Sequence, residues 1–342
     1  MKAENIIEVR DLQTHFKLYE GTLKAVEHVD FDLKTGKTLG IIGESGCGKS
    51  VTAHSILNTV QTPGKVIGGS VMYRTKDGKE ENLLKQGQNS KFMRSVRGRE
   101  ISMIFQEPMT SMSPVYTIGQ QMIESYLVHF GKPTKALKKE AYERAIEMLT
   151  KVGMQNPALR INDYPHQLSG GMCQRAMIAM ALMHNPTVLI CDEPTTALDV
   201  TVQAQITELM QKLQADMNMS MIYITHDMGV IAEVAHDIAV MYLGRVVETG
   251  SALDIFENPS HPYTIRLLRS IPKIGKKIPG VRLDAISGNV PVPIDPIEQC
   301  GFFSRCLSVN GLPACETAVP ELTEVSPGHF VRCHHCSKGG CL

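Results

Sequence analysis

Short apolar runs separated by helical patterns organise about the first 250 residues, which is how an α/β fold reads. Thr38 to Ile42 predicts a strand that ends in a glycine-rich stretch. T-V-L-I-C at Thr187 to Cys191 and M-I-Y-I at Met221 to Ile224 predict two more, each followed by polar residues. Uninterrupted apolar strands are those buried on both faces, as in a parallel sheet, and ligands gather at their carboxyl ends. Ile238 to Val247 carries Leu243-Gly244-Arg245 between apolar stretches, which predicts a hairpin. Met112 to Arg160 has helical periodicity, Lys-rich surface positions and no strand pattern, so a helical insert is expected between two parts of the core. Beyond about Asn258, Pro259, Pro262, Pro272, Pro279, Pro291, Pro293 and Pro296 interrupt regular structure and predict a separate, loop-rich appendage.

Charge changes this picture by exclusion. The 342 residues carry 35 Lys and Arg against 35 Asp and Glu, and chains that live on nucleic acid or anionic membranes usually show a basic excess. No nucleic-acid partner is expected. No apolar run approaches the length of a membrane span, and no charged-then-apolar leader opens the sequence. The expected location is the cytosol or the cytosolic face of a membrane, as a peripheral protein. Of nine cysteines, Cys47, Cys173 and Cys191 are scattered, while Cys300, Cys306, Cys315, Cys333, Cys336 and Cys341 crowd the last 43 positions. In a reducing compartment such clustering predicts metal ligation over disulfides.

Three motifs carry chemistry. Gly43-Glu44-Ser45-Gly46-Cys47-Gly48-Lys49-Ser50, with Val51 opening a helix, fits G-x-x-x-x-G-K-[ST]. Glycines let successive amide N–H groups face a β-phosphate at the positive end of the helix. Lys49 adds a cation for the β- and γ-phosphates, and the Ser50 hydroxyl can ligate Mg²⁺. Val188 to Cys191 is a buried strand delivering Asp192 and Glu193 at its end, one carboxylate to hold Mg²⁺ and one to polarise an attacking water. Ser169 is an N-cap for a helix that runs from Met172 to Met183, until Asn185-Pro186 stops it. Its free N–H groups and hydroxyl suit an anion.

Leu168-Ser169-Gly170-Gly171-Met172-Cys173-Gln174-Arg175 resembles the signature sequence of ABC (ATP-binding cassette) ATPases, L-S-G-G-x-x-Q-R. Gln106 resembles the family's Q-loop glutamine, Ala197-Leu198-Asp199 its D-loop, and His226 in Thr225-His226-Asp227 its switch histidine. The motifs fall in the family's order within residues 6 to 258. The resemblance implies an α/β P-loop NTPase cassette over residues 1–258, with a helical subdomain at about 112–175 and an extension over 259–342. It also implies two cassettes packed head to tail, so that ATP lies between the P-loop of one and Ser169, Gly170, Gly171 and Gln174 of the other. The second cassette could be an identical chain or a related one. By the same resemblance Ser50, Gln106 and Asp192 hold Mg²⁺, Gln106 meets the attacking water, Glu193 is the base, His226 reaches the γ-phosphate, and Asp199 belongs to the shared interface. Adenine stacks on an upstream aromatic, for which Phe16 and Tyr19 both qualify and Phe16 is preferred.

Gln106-Glu107-Pro108-Met109-Thr110-Ser111-Met112-Ser113-Pro114 resembles the Q-D-P-M-T-S-L-N-P run of oligopeptide and dipeptide importer ATPases. Asp192 to Thr201 and Phe256 to Thr264, with Leu267-Leu268 and Ile271-Pro272 behind, resemble the same group, and nickel-importing relatives share much of it. Glu107, Met112, Ser113 and Cys173 depart from the usual residues without removing a catalytic group. The spacing of Cys300, Cys306, Cys315 and Cys333 resembles that of a [4Fe–4S] cluster in this group, which would act as a structural staple. Zinc is the alternative, given Cys333-His334-His335-Cys336, as are free thiols, and Cys336 or Cys341 could replace a ligand. The expected function is ATP hydrolysis driving peptide import through two transmembrane permease subunits fed by an extracytoplasmic solute-binding protein. A soluble ABC ATPase of DNA repair or translation would carry a coiled-coil insert or two cassettes. Here the insert is about 50 residues and each motif occurs once. A regulatory subunit without turnover would be expected to lack Glu193 or His226.

Overall fold

Runs of apolar residues with no polar interruption fold as fully buried strands in a computed structural model that describes residues 1–2, 4–196, 198–270, 286, 288–295, 298–307 and 312–336. The chain divides into two compact units, each discontinuous in sequence. The first comprises Met1–Ile6, Leu33–Lys37 and Tyr73–Ile224. Its parallel strands Ile101–Ile104, Val188–Asp192 and Ser220–Ile224 are buried at every position. Their registers pair Ile104 with Cys191 and Asp192 with Ile224, so all three strands end at one level. That alignment brings the residues just beyond them, Gln106 and Glu193, to the same edge.

Between Ile104 and Val188 no strand occurs among the described residues, and the expected helical insert begins with the short helix Pro108–Ser111. Thr117 and Gln120 form a capping box that starts helix Ile118–Leu127. Helix Lys135–Lys151 buries Ala141, Ala145, Met148 and Leu149, one stripe at helical spacing. Two guanidinium groups fasten the insert. Arg144 donates to the Met183 carbonyl (3.0 Å), and Arg175 donates to the Val152 carbonyl.

The second unit comprises Ile7–Asp32, Thr38–Met72 and Thr225–Leu342. Strand Thr38–Ile42 runs parallel to Asp237–Tyr242, which turns back as Arg245–Ser251. The predicted hairpin turn is Leu243-Gly244, with φ +47° and +73°. Two positive φ values make a tight turn whose twist matches that of the flanking strands. Strands Gly21–Lys34, Asn5–Leu18 and Gly64–Arg74 lie side by side, for most of their length within this unit, in a second sheet whose strands carry no long unbroken apolar run. Their sidedness shows as alternation (Ile7, Val9 and Leu12 buried against Glu8, Arg10 and Asp11), the mark of a half-buried strand.

Among the described residues after Asn258, two strands join the sheet of this unit, where a separate appendage was expected. Strand His329–Val331 pairs with Arg245–Ser251 (Glu248 opposite Val331), and Thr323–Ser326 pairs with His329–Val331 in turn. Glu248, wholly buried, anchors this extension by accepting from the Ser260 and His261 N–H groups (2.7 and 3.0 Å) and lying 2.8 Å from His329 Nε2. The signal was the alternation on either side of Pro327-Gly328, with Gly328 at φ +79°. Ile271-Pro272 and Pro279 lie outside the described residues.

Candidate nucleotide-binding site

In the second unit the glycine-rich loop is shaped by two close approaches. A Cβ on Gly43 would fall 2.3 Å from the Met241 carbonyl oxygen, and one on Gly48 would fall 2.2 Å from that of Ala25. Both also have positive φ, +154° and +102°, so only glycine fits at either end of the loop. Gly48 caps helix Lys49–Ile56, whose first turn holds Ser50 and Val51. Lys49 is buried, and its ammonium donates to the carbonyls of Gly43 (2.9 Å) and Glu44 (3.0 Å), which folds the cation onto its own loop. Ser45 and Gly46 are exposed at the crest. Cys47 is buried, and burial pushes its thiol above the usual range. His226 is exposed beside Asp227, whose carboxylate caps helix Met228–Val234 through the N–H groups of Gly229 and Val230.

In the first unit Asp192 is buried at the end of its strand. Glu193 follows with φ +47°, a left-handed conformation costly for a side chain of this kind. Its N–H donates to the Ile224 carbonyl (2.9 Å), and its carboxylate accepts from Gln106 Nε2 (3.3 Å) and the Thr196 hydroxyl (3.0 Å). Both donors meet the same oxygen, Oε2, and together they aim the carboxylate. Ser169 caps helix Gly170–Ala181, and Ser169 and Gly170 are exposed. A Cβ on Gly171 would lie 2.9 Å from Val202, the third residue of helix Val200–Met217, which Asp199 caps. Signature and D-loop segments therefore support each other, although Ala197 lies outside the described residues. Gln174 is buried and its Nε2 finds no hydrogen-bond partner among the described residues, so its side chain faces inward from the exposed Ser169 end.

The ABC transporter family model matches residues 26–196, from ahead of the glycine loop through Glu193. The chain belongs to the ABC transporter family. A second model, the oligopeptide/dipeptide transporter C-terminal region, matches residues 247–315 of the cassette chain. The probable peptide ABC transporter ATP-binding protein y4tR of Sinorhizobium fredii is 47% identical over 335 residues, covering 97% of this chain and 95% of that protein. The dipeptide transport ATP-binding protein DppD of Bacillus subtilis is 45% identical over 331 residues, covering 96% and 94%. Among solved structures, the dimeric post-hydrolysis state of the ATP-binding cassette MJ0796 bound to ADP and Pi superposes with a TM-score of 0.60 at 25% identity, covering 72% of this chain and 98% of that one.

The cassette places its two candidate adenine partners differently. Phe16 is half-buried against Gly64, where an added Cβ would come within 2.5 Å of the ring. Tyr19, in the turn between Asn5–Leu18 and Gly21–Lys34, is fully exposed.

The cysteines of the extension converge. Cys300, Cys306, Cys315 and Cys333 line one small cleft together with His261 and Phe302, and the Cys300 N–H donates to the Cys315 carbonyl (3.0 Å). Cys336 is not in that lining and lies against the Ser260 carbonyl (3.5 Å), and Cys341 is outside the described residues. Burial raises the Cys300 thiol to about 11. A hydrogen bond from Cys336, opposed by burial, brings Cys333 down to about 6. Among the described residues, no group of three or more His, Cys, Asp or Glu side chains is arranged to hold a single metal ion.

Arg305, which no motif singled out, and Tyr263, inside the Phe256 to Thr264 run but given no role there, both reach the glycine loop. Arg305 forms a two-pronged ion pair with Glu44, and the Tyr263 hydroxyl accepts from the Glu44 N–H (2.9 Å). Only the Y of H-P-Y-T hinted at a buried hydroxyl. Nothing local to Arg305 marks a partner 261 positions away.

Proposed function

We infer that the chain is the ATP-hydrolysing subunit of an ABC importer for peptides. The observation that carries hydrolysis is Glu193, positioned by Gln106 and Thr196 at the end of a buried strand. The glycine loop binds the phosphates through its amides and Lys49. Asp192, buried, and Ser50, on the first helical turn, offer the hard oxygen donors Mg²⁺ requires, with Gln106 as a third. The ion would neutralise charge on the β- and γ-phosphates. Glu193 takes a proton from water as that oxygen bonds the γ-phosphorus and the bond to ADP breaks. His226 supports the γ-phosphate. Ser169, Gly170 and Gly171 serve the ATP of a second cassette, identical or related, and Asp199 supports that interface.

Peptide as the cargo rests on likeness over nearly the whole chain to peptide and dipeptide transport ATP-binding proteins, together with the C-terminal region family, and this favours peptides over nickel. Import needs membrane partners, since no described helix is long and apolar enough to cross a membrane. Two permease subunits and an extracytoplasmic solute-binding protein complete the system, with this chain peripheral on the cytosolic face. Vesicles holding the purified complex should accumulate labelled di- or oligopeptide only when ATP is supplied. Accumulation of nickel without peptide would overturn the cargo.

Tyr19 stacks on adenine, in place of Phe16, because its ring is exposed while that of Phe16 is engaged with Gly64. With about 1–3 kcal/mol for a base–aromatic stack, Tyr19→Ala should raise KM for ATP roughly tenfold. An unchanged KM would return the role to Phe16.

The cleft of Cys300, Cys306, Cys315 and Cys333 is assigned a [4Fe–4S] cluster. Four thiolates suffice for a cubane cluster, and four cysteines line this one cleft. Anaerobically purified protein should contain roughly four iron and four acid-labile sulfide per chain. Stoichiometric zinc without iron would sink the assignment.

A further inference from the structure

The cysteine-rich extension does more than close on itself. Arg305, flanked by Cys300 and Cys306, points its guanidinium at the glycine loop, with Nη1 donating to Glu44 Oε2 (2.7 Å) and Nη2 to Oε1 (2.9 Å). The Arg305 side chain is 5% exposed and that of Glu44 27% exposed, so the pair is partly shielded from water. Arg305 is itself fixed by donation to the Tyr242 hydroxyl (3.3 Å) and the Gly288 carbonyl (3.0 Å), and its own carbonyl accepts from Arg266 (3.1 Å). Phe302, three residues earlier, packs edge-on to Tyr242 (5.2 Å between ring centres) and against Tyr263 (5.5 Å), whose hydroxyl accepts from the Glu44 N–H. The same extension reaches the hairpin that carries Tyr19. The Lys24 N–H donates to the Pro293 carbonyl and the Asp295 N–H to that of Thr22, both at 2.9 Å.

We propose that Arg305 is a positioning residue for ATP binding, bracing the glycine loop through Glu44 and cancelling a carboxylate charge that would otherwise oppose the triphosphate. This rests on the reading of Gly43 to Ser50 as the ATP phosphate site. The brace acts in two ways. A loop already held in shape loses less freedom when ligand binds, which strengthens binding without any new contact to ligand. An unpaired carboxylate in the loop would also repel an anion at a distance where a partly buried charge is weakly screened.

These two effects separate on substitution. Arg305→Met loses the brace and leaves Glu44 charged; Glu44→Gln loses the charged pair but also the repulsion. Affinity of the full-length chain for a non-hydrolysable ATP analogue should therefore fall about tenfold in R305M and about threefold in E44Q. The double variant should return to about the E44Q level. Added salt should narrow the R305M loss, and Arg305→Lys should keep most of the affinity. In steady state the R305M loss should appear in KM, with kcat moving less than about twofold. A merely structural arginine would not be rescued by neutralising Glu44. Wild-type affinity in R305M, or a double variant weaker than both single ones, overturns the proposal. If R305M does not fold, E44Q decides alone, since it leaves Arg305 its Tyr242 and Gly288 contacts, and wild-type affinity there overturns it. Lys49→Ala is the control: if it binds the analogue normally, the phosphate-site reading fails. If it loses the analogue while R305M and E44Q do not, only the brace fails.

Discussion

Glu193→Gln stops ATP turnover while the nucleotide stays bound. The substitution keeps shape, and the remaining carbonyl oxygen can still accept from Gln106 Nε2 and the Thr196 hydroxyl, which hold the native carboxylate at 3.3 and 3.0 Å. The strained backbone at φ +47° is retained for the same reason, since the N–H to Ile224 does not involve the side chain. What disappears is the ability to take a proton from water. Loss of a positioned general base lowers kcat by roughly 10²–10⁴-fold. Binding should not weaken, because a negative charge has been removed from the neighbourhood of a polyanion. Without hydrolysis the ATP-closed pair of cassettes persists, so the variant should elute as a dimer in ATP and as the wild type does in ADP. Wild-type kcat in this variant would show that another group is the base.

The strands that position the candidate half-sites were legible because their pattern is local in sequence. A buried parallel strand needs an unbroken apolar run, and its polar sequel marks the functional edge, so T-V-L-I-C before Asp192 and M-I-Y-I before His226 could be read directly. The Leu243-Gly244 turn was equally local. The N-terminal sheet was harder, because Arg10, Asp11 and Lys17 interrupt its apolar positions and half-buried strands need only every second residue to be apolar. The environment of Phe16 was not legible, because Gly64, about 50 positions on, is what lies against its ring. The attachment of the extension was least legible. It depends on Glu248 meeting His329 and on Arg305 meeting Glu44, pairs 81 and 261 positions apart. Proline frequency signals irregular backbone but says nothing about where that backbone docks.

Lys49→Ala abolishes useful ATP binding without unfolding the chain. In the structure the ammonium donates to the Gly43 and Glu44 carbonyls, so its position inside the loop is set before ligand arrives. A triphosphate offers the same cation stronger, charged acceptors, and hydrogen bonds between charged groups are worth about 1.5–3 kcal/mol each. Losing them lowers affinity on the order of a hundredfold. The fold should survive, because the following helix is entered through Gly48 and the loop's shape is set by Gly43 and Gly48 against the Met241 and Ala25 carbonyls. Gly48→Ala provides the contrast: its Cβ would collide with the Ala25 carbonyl at 2.2 Å, so it should lose binding and thermal stability together. Calorimetric titration with ATP beside a melting curve separates the two. Undiminished binding in Lys49→Ala would mean that the loop does not hold the phosphates. A large fall in melting temperature would mean that the lysine serves mainly to staple its own backbone.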